Sequence, residues 1–252
     1  MTVLEAIFLA LAGFAAGGIN AVVGSGSLIT FPVLLAMGYP PVLANVTNNI
    51  GVLPGSLSGS WVYRRHFLGQ GRLLVVLVGC AAAGGALGAV LLLNLPAKTF
   101  DAVVPVLIIF ACLLVVASPW IKKRLDRRRM PSSVPRDHIY AVGPGSLATA
   151  VYGGYFGAAQ GIILLSLLST GLAGTIHRAN AFKNVLGATA NLSAAVVFVS
   201  TTPVAWPAAA MIAAGALLGG HIGASAGQKI PPAVYRAIIF LIGGAAVVYF
   251  YA

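Results

Sequence analysis

The sequence predicts an all-α polytopic membrane protein built from two inverted repeats, each a broken or re-entrant helix pair followed by three transmembrane helices. Composition is the first reason. The 252 residues are 59% hydrophobic and only 8% charged, with a mean hydropathy of +0.97. Soluble domains carry about 25% charged residues, and apolar runs of roughly 18 residues or more recur along this chain, which is spanning length. Internal repetition is the second reason. An offset of 135 positions, Gly18 to Gly153, lays the second half on the first without a gap. Gly26 then falls on Gly161, Ala44-Asn45 on Ala179-Asn180, Asn49 on Asn184 and Leu57-Ser58 on Leu192-Ser193. Gly84-Gly85, Gly88-Ala89 and Pro96 fall on Gly219-Gly220, Gly223-Ala224 and Pro231. The third reason is the placement of basic residues, which sets the number of crossings in each half.

The apolar segments run over 3–23, 27–37, 42–62, 73–93 and 99–120, then over 138–158, 161–173, 179–200, 206–226 and 232–251. The offset pairs them one to one. Segments 27–37 and 161–173 fall short of the about 20 residues a helix needs to cross. Each reads as the return arm of a pair that enters and leaves on one side, with three full spans after it. The expected organisation is a first repeat over 1–120, a basic linker over 121–136 and a second repeat over 137–252. Glycine–alanine clusters at 79–89 and 214–227 contain small-xxx-small spacings, Gly84 to Gly88 and Gly219 to Gly223, which predict close helix contacts. Such faces permit a homodimer without requiring one. Trp61, Trp120 and Trp206 lie near segment ends, where interfacial anchors belong. Cys80 and Cys112 sit singly in apolar helices and read as small core residues.

The formal net charge is +11, yet its position points to topology rather than to nucleic acid. Seven of the fifteen basic residues lie between Lys122 and Arg136. With that stretch cytoplasmic, Arg64, Arg65, Arg72, His177-Arg178, Lys229 and Arg236 also fall inside, and Lys98 alone among the lysines and arginines falls outside. This is the positive-inside pattern. It gives each half an odd number of crossings, which inverts one half against the other and puts both termini outside. The N-terminus has no basic region before its apolar run and carries Glu5, so the first segment is expected to stay rather than be cleaved.

Two constellations carry the chemistry. Gly24-Ser25-Gly26-Ser27 and Ala159-Gln160-Gly161 mark the breaks between the first and second segments of each half. Glycine permits unwound backbone, and the half-helix that follows offers unpaired N–H groups and a positive dipole end, which suit an anion. Non-helical backbone at membrane depth is tolerated where it is buried in protein or lines a cavity. Close helix packing is the other reading of the same glycines. The repeated Asn-x3-Asn, Asn45/Asn49 and Asn180/Asn184, puts two amides on one helix face. They suit either an oxyanion or interhelical hydrogen bonding. Lys183, a turn and a half into its span, is the better candidate for a ligand charge. Arg178 and His177, nearer the end, read as interfacial. His221 has no counterpart in the repeat, since Ala86 stands there, and reads as a packing or proton-coupling group.

The residues Ala16-Gly17-Gly18-Ile19-Asn20 through Gly24-Ser25-Gly26-Ser27-Leu28, then Phe31-Pro32, Ala44-Asn45-Val46-Thr47-Asn48 and Pro54-Gly55-Ser56-Leu57-Ser58-Gly59, together with Tyr152-Gly153-Gly154 through Gly161 and His177 through Asn184, resemble the sulfite exporter TauE/SafE family of membrane permeases. The resemblance covers nearly the whole chain. It implies transport of sulfite, sulfonates or related small organic anions across the inner membrane. Ser25 stands where that family often has a third glycine, and Ala159 where glycine is common.

Absences narrow the mechanism. The four acidic residues, Glu5, Asp101, Asp126 and Asp137, lie near segment ends or in the linker. No P-loop motif encodes ATP drive. No cofactor or metal is expected. The partners expected are the lipid bilayer and a small anion, bound by Gly24, Ser25, Gly26, Asn45, Asn49, Gln160, Gly161, Asn180, Lys183 and Asn184. An inside-negative potential drives an anion outward with about 2.3 kcal/mol per charge at 100 mV, so export needs no coupling ion. Two other classes stay open. An intramembrane serine hydrolase would use Ser25 or Ser27 with His177 or His221, and a membrane scaffold would dock a partner on the basic linker.

Overall fold

The computed structural model describes residues 1–67, 69–128, 139–173 and 175–226. The final apolar segment, 232–251, and with it Lys229 and Arg236, lies outside the described residues. So does the linker beyond Arg128, including Arg136. Within them the fold is helical throughout: α1 Val3–Val22, α2 Ser27–Ala36, α3 Pro41–Val62, α4 Gly71–Asn94, α5 Ala97–Arg128, α6 Ile139–Tyr155, α7 Gln160–Gly171, α8 Ile176–Thr201 and α9 Trp206–Ala226, with a 3₁₀ turn at Arg64–Phe67. Among the described residues, five helices are long and apolar enough to cross a membrane, and α2 and α7 are the two short apolar ones. This is a multi-pass membrane protein.

Local chemistry accounts for the helix ends. Thr2 and Glu5 form a reciprocal capping box at the start of α1, a device worth about 1 kcal/mol. Pro41 begins α3 at the one helical position where its missing N–H costs nothing. Thr175 caps α8 by accepting from the Arg178 N–H. Helix α5 runs on through Arg128, so the first part of the expected linker is helical. At 1.5 Å per residue it is about 48 Å long, well beyond an about 30 Å hydrocarbon core. Arg124 lies over the exposed Trp120 ring, and Arg64 over the exposed Trp61 ring at 4.6 Å. The Trp61–Arg64 pair places a cation and an indole at the end of α3, and the Trp120–Arg124 pair does so within the last three turns of α5.

Packing crosses between the halves. Helix α1 lies chiefly on α9, and α4 on α6, while α3 also packs on α9 and α4 on α8. The 135-residue offset exchanges these pairs with one another. The small-residue faces make the contacts close, as their spacing predicts. A Cβ on Gly88 would sit 2.7 Å from the Tyr155 backbone nitrogen, and one on Gly17 would sit 2.8 Å from the Ala216 Cα. In a bilayer, where apolar side chains gain nothing by leaving lipid, such backbone approach is what binds helices. The short helix α2 is buried from Leu28 to Leu35, so its body is enclosed by protein and it emerges at the exposed Ala36. Phe31, Phe100 and Phe156 pack edge to face beside the second break.

Candidate functional site

The site is built by the two breaks. Helix α1 stops where Gly24 takes φ +85°, with its N–H closing onto the Ile19 carbonyl at 3.2 Å. Helix α6 stops the same way at Gly157, φ +79°, whose N–H closes onto the Tyr152 carbonyl at 3.2 Å. Left-handed backbone ends a helix and favours glycine. The second break carries an additional left-handed residue, Ala159 at φ 59°, which costs a Cβ-bearing residue about 1–2 kcal/mol.

The breaks touch. The Gly161 N–H donates to the Gly24 carbonyl at 3.0 Å. A Cβ on Gly24 would lie 2.8 Å from the Gly161 carbonyl carbon, and a Cβ on Gly161 would lie 2.8 Å from the Gly24 oxygen. Only glycine at both positions allows it. Beside this contact is a cavity of about 20 Å³ lined by Asn20, Gly24, Ser27, Ser56, Gly157, Gln160, Gly161, Lys183, Asn184, Gly187 and Asn191. That volume holds about one water, so an anion enters only if the walls separate.

Each broken helix is closed by a side chain from the other half. Lys183, 2% exposed, donates from Nζ to the Asn20 and Ala21 carbonyls at 3.1 Å each, and Asn184 Nδ2 lies 3.5 Å from the Ala21 carbonyl. These are the last-turn carbonyls of α1, the negative end of its dipole. In the mirror position Asn45 Nδ2 donates to the Tyr155 carbonyl at the end of α6, at 2.9 Å.

Five of the ten expected residues line the cavity: Gly24, Gln160, Gly161, Lys183 and Asn184. Asn49 stands one contact back, with Nδ2 3.5 Å from Asn191 Oδ1. Gly26 sits against the Ala16 backbone and the Asn20 Cβ and donates toward Asn20 Oδ1 at 3.5 Å. Asn45 is occupied with α6. Ser25 and Asn180 do not line the cavity, and Ser25 Oγ and Asn180 Oδ1 are buried without a partner. Sequence reasoning missed Asn20, Ser56 and Asn191 as wall residues. Asn20 Nδ2 donates to Ser56 Oγ at 2.9 Å, which fixes one side of the wall. Asn191 lies seven residues beyond Asn184, and Ser56 seven beyond Asn49, so the repeated Asn-x3-Asn, continued two turns, would have found both.

Arg178 lies away from the cavity, donating from Nε to Gln70 Oε1 at 2.8 Å and from Nη1 to the Ala173 carbonyl. His177 and His221 are exposed and line no part of the cavity. Ser25 Oγ has no hydrogen-bond partner, so no base activates it.

The wall is rich in donors. It holds one ammonium, three Asn amides, two hydroxyls and the Gln160 amide, whose Nε2 is buried with no partner on a residue 4% exposed. No carboxylate lines it. Helices interrupted in the middle of a bundle, with a buried polar cavity where the interruptions meet, define a membrane transporter of the broken-helix class. The comparisons agree. The chain belongs to the sulfite exporter TauE/SafE family, whose model matches residues 9–250. It is 29% identical over 212 residues to a probable membrane transporter protein of Haemophilus influenzae, covering 84% of this chain and 81% of that one. It is 27% identical over 219 residues to the probable membrane transporter protein YfcA of Escherichia coli, covering 85% and 79%.

Proposed function

We propose that this transporter exports a small sulfur-containing oxyanion, such as sulfite or an organosulfonate, bound between the two breaks. The observation that carries the reading is the buried ammonium of Lys183 beside the unpartnered Gln160 Nε2, in a cavity with no carboxylate. An oxyanion accepts from both and neutralises the charge, and a cation would meet only repulsion from the lysine. The repeats 1–120 and 137–252 have inverted topology in the inner membrane, with 121–136 cytoplasmic and both termini outside. Rocking of one half against the other then opens the site to alternate sides. The small cavity volume marks a closed site that must part to load.

The test is flux in proteoliposomes loaded with sulfite or methanesulfonate. An imposed potential, negative on the side from which the anion leaves, should accelerate its exit, and Lys183→Met should abolish the effect while the protein still folds. Flux unmoved by potential and by Lys183→Met would overturn the anion reading.

A further inference from the structure

Among the glycines lining the cavity, Gly187 differs from the rest. Gly24 and Gly161 press backbone on backbone, and Gly157 has left-handed φ with the Gly153 oxygen 2.9 Å from where a Cβ would stand. A Cβ on Gly187 would meet nothing within 4 Å. Neither helix packing nor backbone conformation demands glycine here, and within a helix glycine is a weak choice. Its residue in the other half, by the 135-residue offset, is Val52, which is 2% exposed in the hydrophobic core. On α8, Gly187 lies three residues after Asn184 and four before Asn191, so the three share the cavity face. The missing side chain therefore leaves space beside the donors that would hold the head of an oxyanion.

We propose that Gly187 sets the size limit of the ligand, by leaving room for the substituent that an organic oxyanion carries next to its charged head. The proposal rests on the anion reading above and adds to it a specificity-determining position. The charged head is held by Lys183, Asn184 and Gln160, and the tail lies along α8 at Gly187. Filling the space with a methyl or an isopropyl group should spare a small anion and exclude a longer one of equal charge.

The experiment uses the purified full chain in detergent and measures binding of sulfite, methanesulfonate, ethanesulfonate and propanesulfonate by calorimetry. Gly187→Ala and Gly187→Val are compared with the unaltered chain, and thermal unfolding checks that both fold. The sulfonates share one charge and differ only in tail length. One methylene in a close-fitting pocket is worth about tenfold or more in discrimination. Gly187→Val should therefore raise the ratio of propanesulfonate to methanesulfonate dissociation constants at least about tenfold, with Gly187→Ala between. An unchanged ratio in a folded Gly187→Val, or an equal loss for every anion, overturns the size role and leaves the anion reading standing. No binding of any anion by the unaltered chain overturns both.

Discussion

The two breaks lie within two residues of matching places in the repeat, yet they are closed by different chemistry. The end of α6 is held by a neutral amide, Asn45, and the end of α1 by an ammonium, Lys183. The offset counterpart of Lys183 is Asn48, whose Oδ1 accepts from the Thr30 hydroxyl on α2. Under the proposed oxyanion reading, one closure would respond to an arriving anion, which would compete with the α1 carbonyls for the Lys183 ammonium, and the other, at Asn45, would not. The repeat supplies the frame, and departures from it at Lys183, Gly187 and Asn191 line the polar cavity.

The largest effect tests the shared frame. Gly24→Ala should cost about 3 kcal/mol or more, since it adds left-handed strain to a backbone clash with Gly161. Gly38→Ala is the control, because Gly38 has φ +83° with open space around it. Strain alone predicts about 1–2 kcal/mol there. Equal losses of thermal stability in the two variants would mean that the meeting of the breaks contributes nothing.

Next comes the difference between the closures. Lys183→Asn makes α8 resemble α3, and it should weaken oxyanion binding by about 1.5–3 kcal/mol, the range for a hydrogen bond to a charged group. Asn45→Ala should lower stability by about 1 kcal/mol through loss of the α6 closure and leave the affinity for sulfite or methanesulfonate near that of the unaltered chain. Calorimetry on both variants decides, and a larger affinity loss from Asn45→Ala would reverse the assignment of roles. The smallest effect is at the strained residue of the second break. Ala159→Gly should raise stability by up to about 1 kcal/mol, because the left-handed conformation at 159 then carries no Cβ penalty and the entropy of the unfolded chain takes back only part of the gain. A fall in the unfolding temperature would show that the Ala159 methyl contributes more by packing than it costs in strain.

Much of the frame was legible in the sequence, for identifiable reasons. Segments 27–37 and 161–173 were too short to span, and they form α2 and α7. Glycine at 24 marked a helix stop because left-handed backbone excludes most side chains, and Lys183 stood out because a cation inside an apolar span needs a reason. The exact position of the second break was not legible. The left-handed stop there is Gly157, whose offset counterpart is Val22 rather than Gly24, so the two ends are shifted within the repeat. The Gly24–Gly161 contact was also hidden, because residues far apart in the chain leave no spacing to read when they meet through backbone alone. Asn191 and Ser56 were within reach of the helical period. Gly187 was not, since a glycine beside empty space and a glycine beside packed backbone look identical in one dimension.

The pairing of α1 with α9 has a consequence for biogenesis. As the chain is synthesised, α1 emerges well before α9, which carries the main surface it packs on. Gly13 and Gly17 must wait in the membrane for Ile212 and Ala216. Helix α1 is thus fully packed long after it is made, and contacts of such long sequence separation form late and slowly. A chain halted after α8 would hold α1 against α2 and α3 but without its main packing surface, so the α4–α6–α8 contacts can be complete while α1 still lacks α9.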